Sequence, residues 1–230
     1  MVEFIKVSKS FGAIKALDDV SFKVEDGEFV FIVGPTGSGK TTLLRLLLGE
    51  FRPSSGTIMF NNQDITKIKT RDLPKLRKKI GVVFQDFKLL SERTIRENVE
   101  IPLAIHSVET NKWEERLKTV LELVGLSDRA DLFPSQLSGG EIQRAAIARA
   151  LIVNPDLIFA DEPTGNLDWE TAEGIMTIFR KINEQGKTVI ISSHHKDLIA
   201  KIGKRVLTLK EGKIISDTKM TGKTRKEKQK

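Results

Sequence analysis

Two hydrophobic periods recur along this chain. Phe29-Val30-Phe31-Ile32-Val33 is an unbroken apolar run, rich in aromatic and β-branched residues, that predicts a buried strand. Thr42 to Leu48 is a leucine-rich stretch of good helix formers that stops at Gly49. Residues 2 to 8 and about 17 to 24 alternate as strands do, and Glu25-Asp26-Gly27 makes the turn into the first run. Thr57-Ile58-Met59-Phe60, ending in Asn61-Asn62, predicts another strand and turn, so two or three antiparallel strands are expected beside a parallel core. Leu73 to Lys79 is a short basic helical stretch, and Ile80-Gly81-Val82-Val83-Phe84 is a strand running into Gln85.

From Asp86 to Gln136 the pattern changes. Polar connections separate two helical segments, Thr94 to Ala104 and Trp113 to Val124. In the second, Trp113, Leu117, Val120, Leu121 and Val124 recur at helical spacing, which makes Trp113 a packing residue. This block reads as a helical insertion able to move separately from the core. Ala145 to Ile152 is a strong helix stopped by Asn154-Pro155. Leu157-Ile158-Phe159-Ala160 predicts an apolar strand ending in Asp161 and Glu162, with Pro163 to Asp168 as a turn. A helix from about Glu170 to Glu184 leads to the strand Thr188 to Ser192 and then Ser193-His194-His195. Val206 to Leu209 and Lys213 to Ile215 form a closing hairpin around Glu211-Gly212. No internal repeat is present.

Between the first apolar run and the leucine-rich helix lies Gly34-Pro35-Thr36-Gly37-Ser38-Gly39-Lys40-Thr41, with Thr42 directly after. The two outer glycines, the Lys and the hydroxyl residue have the spacing of a phosphate-cradling loop, and strand, glycine loop, helix is the context such a loop needs. Glycines let the backbone curl so that several N–H groups point inward, and the helix N-terminus adds partial positive charge. Lys40 can then reach the β- and γ-phosphates, while the Thr41 hydroxyl can hold Mg²⁺. The loop predicts a nucleoside-triphosphate site.

Composition narrows this further. With no cysteine, disulfides, thiolate catalysis and zinc–thiolate sites are excluded, and three scattered histidines do not make a histidine metal site. No apolar run approaches the length needed to span a membrane. Met1 to Lys6 begins like a strand and lacks a signal peptide's apolar core, so the chain is expected to stay in the cytosol. The formal net charge is +7, but residues 217–230 hold six Lys/Arg against two acids. That basic tail is expected to be a solvated end, with anionic lipid contact as its functional alternative. The remainder needs no nucleic-acid partner.

Hydrolysis of a phosphoanhydride needs phosphates held, Mg²⁺ placed, a water aligned and developing charge stabilised. Asp161, at the C-terminal end of an apolar strand, is suited to Mg²⁺ either directly or through water. Strand alternation is expected to point Glu162 to the other side, where it can accept a proton from the attacking water. Gln85 and His194 also follow strands. The Gln85 amide can reach metal and water, and His194 can bond the γ-phosphate. Phe11, beside Gly12 in the connection between the first two strands, either stacks on a base or belongs to local core. Ser138-Gly139-Gly140, before a helix, makes a second anion-binding nest. One chain needs only one loop around its phosphates, so the second nest is expected to serve a nucleotide held by another copy.

Leu137-Ser138-Gly139-Gly140-Glu141, with the phosphate loop, Gln85, Asp161-Glu162, Asn166-Leu167-Asp168 and His194, resembles the ATP-binding-cassette family over about residues 2 to 216. The resemblance implies an α/β P-loop ATPase core with a mostly parallel sheet, an antiparallel β-subdomain and a helical subdomain inserted at about residues 86–140. It implies ATP and Mg²⁺ as cofactors, and a head-to-tail homodimer. Each ATP would lie between the phosphate loop of one copy and Ser138 to Glu141 of the other, with Asp168 near it. Phe11 matches the adenine-stacking aromatic, usually a Tyr, and His194 the switch histidine, although the acid that often follows is here His195. Asp161 to Asp168 is similar to the branch containing lipoprotein-release, macrolide-export and cell-division ATPases. Val83 to Leu90, followed by Arg93 to Val99, is most similar to its cell-division members. These pair with an integral membrane protein, docked near Gln85, at the cytoplasmic face of the bacterial membrane. Nucleic-acid-bound cassettes carry a coiled coil in the insertion, and no sustained heptads occur here.

Overall fold

A computed structural model describes residues 1–218, with Lys196 by its backbone only. Asp217 and Thr218, expected to open the basic tail, belong to a strand; the rest of that expected tail lies outside the described residues. The elements in order are β1 (Val2–Phe11), β2 (Ile14–Val24), β3 (Phe29–Val33), α1 (Lys40–Leu47), β4 (Ser55–Phe60), β5 (Gln63–Asp64), α2 (Leu73–Lys78), β6 (Ile80–Val83), α3 (Ile95–Ile105), α4 (Trp113–Val124), α5 (Gly139–Leu151), β7 (Leu157–Asp161), α6 (Trp169–Glu184), β8 (Thr188–Ser193), α7 (Lys196–Ile202), β9 (Arg205–Lys210) and β10 (Lys213–Thr218).

Two sheets result. The larger runs β10-β9-β3-β8-β7-β6, parallel from β9 through β6 with β10 antiparallel at its edge. The smaller, β2-β1-β4-β5, is antiparallel throughout. β3 shows why its sequence has no alternation: Phe29 and Phe31 enter one buried cluster while Val30 and Ile32 enter another. A parallel strand covered on both faces needs apolar residues at every position. Each such side chain contributes about 1.5–3 kcal/mol by leaving water.

The cluster on the Phe31 face also contains Ile95, Val99 and Leu103 of α3, Leu117 and Leu121 of α4, and Ile147 and Leu151 of α5. The inserted helices are thus packed into the core of the large sheet. The other cluster joins Leu43, Leu44, Leu46 and Leu47 of α1 to Phe4, Val20 and Ile58 of the antiparallel sheet. Trp113 packs against the first cluster and donates from its indole nitrogen to the Val108 carbonyl, as its place on the apolar stripe predicts.

Two boundaries that bear on the expected site residues differ from the sequence-based expectation, and one helix was not expected at all. β1 runs through Phe11, so this aromatic ends a strand where a connection was expected. Its pairing with Ile14 across a two-residue turn extends the ladder beyond the region of clean alternation. α5 begins at Gly139, so Gly139 and Gly140 form its first turn where a nest ahead of the helix was expected. Ser138 caps this turn, which offsets the poor helix propensity of two glycines. α7 had no clear signal in the chain.

Candidate nucleotide site

β3, β8, β7 and β6 are parallel neighbours, with Val33 beside Ser193, Ser192 beside Asp161, and Ala160 beside Val83. Whatever follows each strand must therefore meet at one edge of the sheet. That edge carries the phosphate loop, His194, Asp161-Glu162 and Gln85. They enclose a cleft of about 290 Å³ lined by Thr36, Gly37, Gly39, Lys40, Thr41, Thr42, Gln85, Asp161, Glu162 and His194, with Ala16 of β2 at its side.

Two loop positions require glycine. A Cβ on Gly34 would fall 2.2 Å from the Leu209 carbonyl oxygen, and Gly39 has φ +111 with its Cβ position 2.7 Å from the Ala16 carbonyl oxygen. The Ser38 side chain is buried, and its hydroxyl has no hydrogen-bond partner among the described residues. Lys40 Nζ donates to the carbonyls of Gly34 at 2.8 Å and Pro35 at 3.2 Å, and lies 3.4 Å from Glu162 Oε1. Thr41 Oγ1 donates to Asp161 Oδ2 at 2.9 Å, and the Ser192 hydroxyl donates to the other Asp161 oxygen. Ser192 joins the site through strand register alone; no motif marked it.

The two acids do not diverge as alternation predicts. β7 ends at Asp161, and Glu162 adopts φ +49, in the left-handed region. Its N–H is held by the Ser192 carbonyl at 3.1 Å. This reversal brings its carboxylate back into the cleft with that of Asp161. A glutamate pays backbone strain of about 1–3 kcal/mol there, which the fixed turn around it sustains. Glu162 Oε2 then meets His194 Nδ1 at 2.8 Å. Gln85 lies over the turn after β7, with its Nε2 3.4 Å from the Cβ position of Gly165.

The remaining expected residues do not line this cleft. Ser138 Oγ accepts from Glu141 N at 3.3 Å and donates to Glu141 Oε2 at 2.7 Å, while Ser138 N donates to the same carboxylate at 2.9 Å. The Ser138 backbone and hydroxyl, with Arg129 beside them, pull the Glu141 carboxyl down to about 2. Asp168 caps α6, accepting from the backbone and hydroxyl of Thr171 at 3.0 and 2.6 Å, which hold its carboxyl below the usual range. A Cβ on Gly140 would fall 2.4 Å from Thr171 Cγ2, so glycine there lets the Ser138 and Asp168 caps approach each other. Phe11 is 39% exposed, packs edge-on against Phe51 with centroids 5.1 Å apart, and has Lys9 Nζ 4.9 Å from its ring centre.

Residues 17–165 match the ABC transporter family. The chain belongs to that family. Within it, this ATPase cassette is similar to the cell division ATP-binding proteins FtsE of Bacillus subtilis (strain 168) and Escherichia coli (strain K12). The first is 43% identical over 94% of this chain and 96% of its own, the second 46% identical over 92% and 96%. A solved dimeric post-hydrolysis state of the ATP-binding cassette MJ0796, bound to ADP and Pi, superposes with a TM-score of 0.86 at 39% identity, covering 97% of this chain and all of the other. Both the α/β fold and the ATPase expectation of the sequence are thereby met. Among the described residues, no helix is long and apolar enough to cross a membrane.

Proposed function

We propose that this ABC ATPase is the hydrolytic subunit of a membrane complex, in which two copies close head to tail on ATP and drive an FtsX-like integral partner in cell division and the control of cell-wall hydrolases. One observation carries the reading. Lys40, Thr41, Asp161, Glu162 and His194 gather in one cleft, while the second anion-binding cap at Ser138 lies outside its lining. A cleft furnished from one side is completed by a second copy, and the dimeric MJ0796 cassette supports that arrangement.

In this reading Glu162 takes a proton from the attacking water, and His194, bonded to it, orients the carboxylate. Lys40 and the loop N–H groups hold the phosphates, and the unpartnered Ser38 hydroxyl fits a phosphate oxygen. Thr41, Asp161 and Gln85 offer the oxygen atoms that suit Mg²⁺, which when bound neutralises phosphate charge. Exposed Phe11 is free on one side to stack against adenine. Ser138 to Glu141, with Asp168 beside them, meet the triphosphate of the other copy. A groove of about 390 Å³ lined by Phe84, Ile101, Pro102, Ile105 and His106 supports docking of the membrane partner near Gln85, at the cytoplasmic face.

Glu162→Gln tests this directly. It should retain ATP binding, lose turnover about 100-fold or more, and accumulate an ATP-dependent dimer in light scattering. Wild-type turnover in that variant overturns Glu162 as the base. Capture of the chain from membranes, with mass spectrometry of the co-purifying integral protein, tests the partner.

A further inference from the structure

Arg149 sits near the C-terminal end of α5, ten residues beyond its glycine start, and its contacts serve no helix of its own. Its guanidinium donates to the carbonyls of Phe87, at 2.7 Å, and Lys88. Those two residues are consecutive and both left-handed, with φ +59 and +54. Neither is glycine or asparagine, so the turn costs conformational energy that an outside contact must offset. Two carbonyls converging on one cation provide that contact. Burial disfavours the charged form of Arg149, so its partners here are carbonyl dipoles that must hold it tightly.

The turn held in this way begins two residues after Gln85. Its far end is pinned separately: fully buried Asn98 of α3 donates to the carbonyls of Leu90, Arg93 and Thr94 at 2.9, 3.0 and 2.9 Å and accepts from Leu90 N at 2.7 Å. Residues 87–94 are therefore tied to the helices at both ends, leaving Phe84, Gln85 and Asp86 as the link to the sheet. α5 begins at the Ser138 cap, so one helix touches the Gln85 turn near one end and carries the second nucleotide-contacting surface at the other.

We infer that Arg149 is a positioning residue for hydrolysis: it clamps the Phe87-Lys88 turn to α5, so that Gln85 and the Ser138 cap are set as one unit. The inference rests on the proposed roles of Gln85 and Ser138. It adds a residue outside the lining of the nucleotide cleft.

A double-mutant cycle on the full chain separates this from simple stabilisation. Arg149→Lys keeps the charge but loses the two-pronged donor. It should lower kcat for ATP about tenfold, the scale of one charge-assisted hydrogen bond, with KM nearly unchanged. In the Gln85→Ala background the same change should cost no more, because the clamp then has nothing to position. Arg116→Ala is the control: Arg116 donates to the Ile152 carbonyl at the same end of α5 without touching the Gln85 turn, and kcat should stay at the wild-type level.

Wild-type kcat in Arg149→Lys, multiplying losses in the double variant, or an equal loss in Arg116→Ala each overturns the inference. If Gln85→Ala alone leaves kcat unchanged, it is the assignment of Gln85 that fails, and the inference falls with it. Should Arg149→Lys not fold, hydrogen exchange in the wild-type chain decides. The amides of Asp86 to Lys88 and those of the first α5 turn should gain protection together on addition of Mg-ATP, and gain at one without the other overturns the clamp.

Discussion

Glu162 Oε2 and His194 Nδ1 lie 2.8 Å apart, although 32 positions separate them in the chain. Adjacent parallel strands end side by side, and the left-handed turn at Glu162 swings its carboxylate toward the neighbouring strand end. Lys40 stands on the other side of the same carboxylate, 3.4 Å from Oε1. The proposed base is thus held between an imidazole and an ammonium group, and its direction depends on both.

Replacing His194 with Ala should therefore slow the chemical step while leaving ATP affinity near the wild-type value. A misdirected base costs on the order of 100-fold. Single-turnover hydrolysis together with equilibrium nucleotide binding checks both halves of this expectation, and an unchanged single-turnover rate would remove His194 from the site.

Ser138→Arg should spare ATP binding by the single chain and abolish ATP-dependent pairing. The substitution removes the cap of α5 and places a long side chain on the surface proposed to meet the other copy. Light scattering in the Glu162→Gln background reads the result; a dimer that persists would mean that Ser138 does not face a second nucleotide.

Glu141 predicts an acid-sensitive contribution to stability. Its carboxyl falls from 4.5 to about 2 on folding, so the folded chain holds that proton less readily than the unfolded one. The contribution is present above the unfolded value and is lost as pH falls from about 4.5 toward 2. Glu141→Gln should be less stable than wild type at neutral pH, with the gap closing through that window in urea melts. A gap independent of pH would refute the charge's role in the cap.

Gly39→Ala should lose nucleotide binding and destabilise the fold by about 1–3 kcal/mol, because the new methyl meets the Ala16 carbonyl and the backbone must keep a left-handed φ. Denaturant unfolding and ATP titration measure the two effects; retention of both would mean that the loop relaxes freely.

The local elements were legible where a single period or a short motif suffices. The β3 run, the glycine loop, the leucines of α1 and the Trp113 stripe all state their structure within a few residues, since burial and backbone freedom act locally there. Phe11 was not legible, because its pairing with Ile14 depends on a ladder that continues past the alternating region. α7 was missed because it spans only seven residues, although its apolar residues Leu198, Ile199 and Ile202 stand at helical spacing and pack in the core.

Legible in the chain alone were the glycine-rich loop and the two acids at a strand end, each carried within one stretch, and the resemblance to ATP-binding cassettes, carried by several short motifs together. Tertiary structure decided which side Glu162 faces, that Ser192 joins Asp161, and that Arg149 reaches the turn after Gln85. These depend on strand order, on where α5 meets the turn after β6, and on left-handed backbone angles at Glu162, Phe87 and Lys88. Residues brought together by sheet register leave no trace in the spacing along the chain.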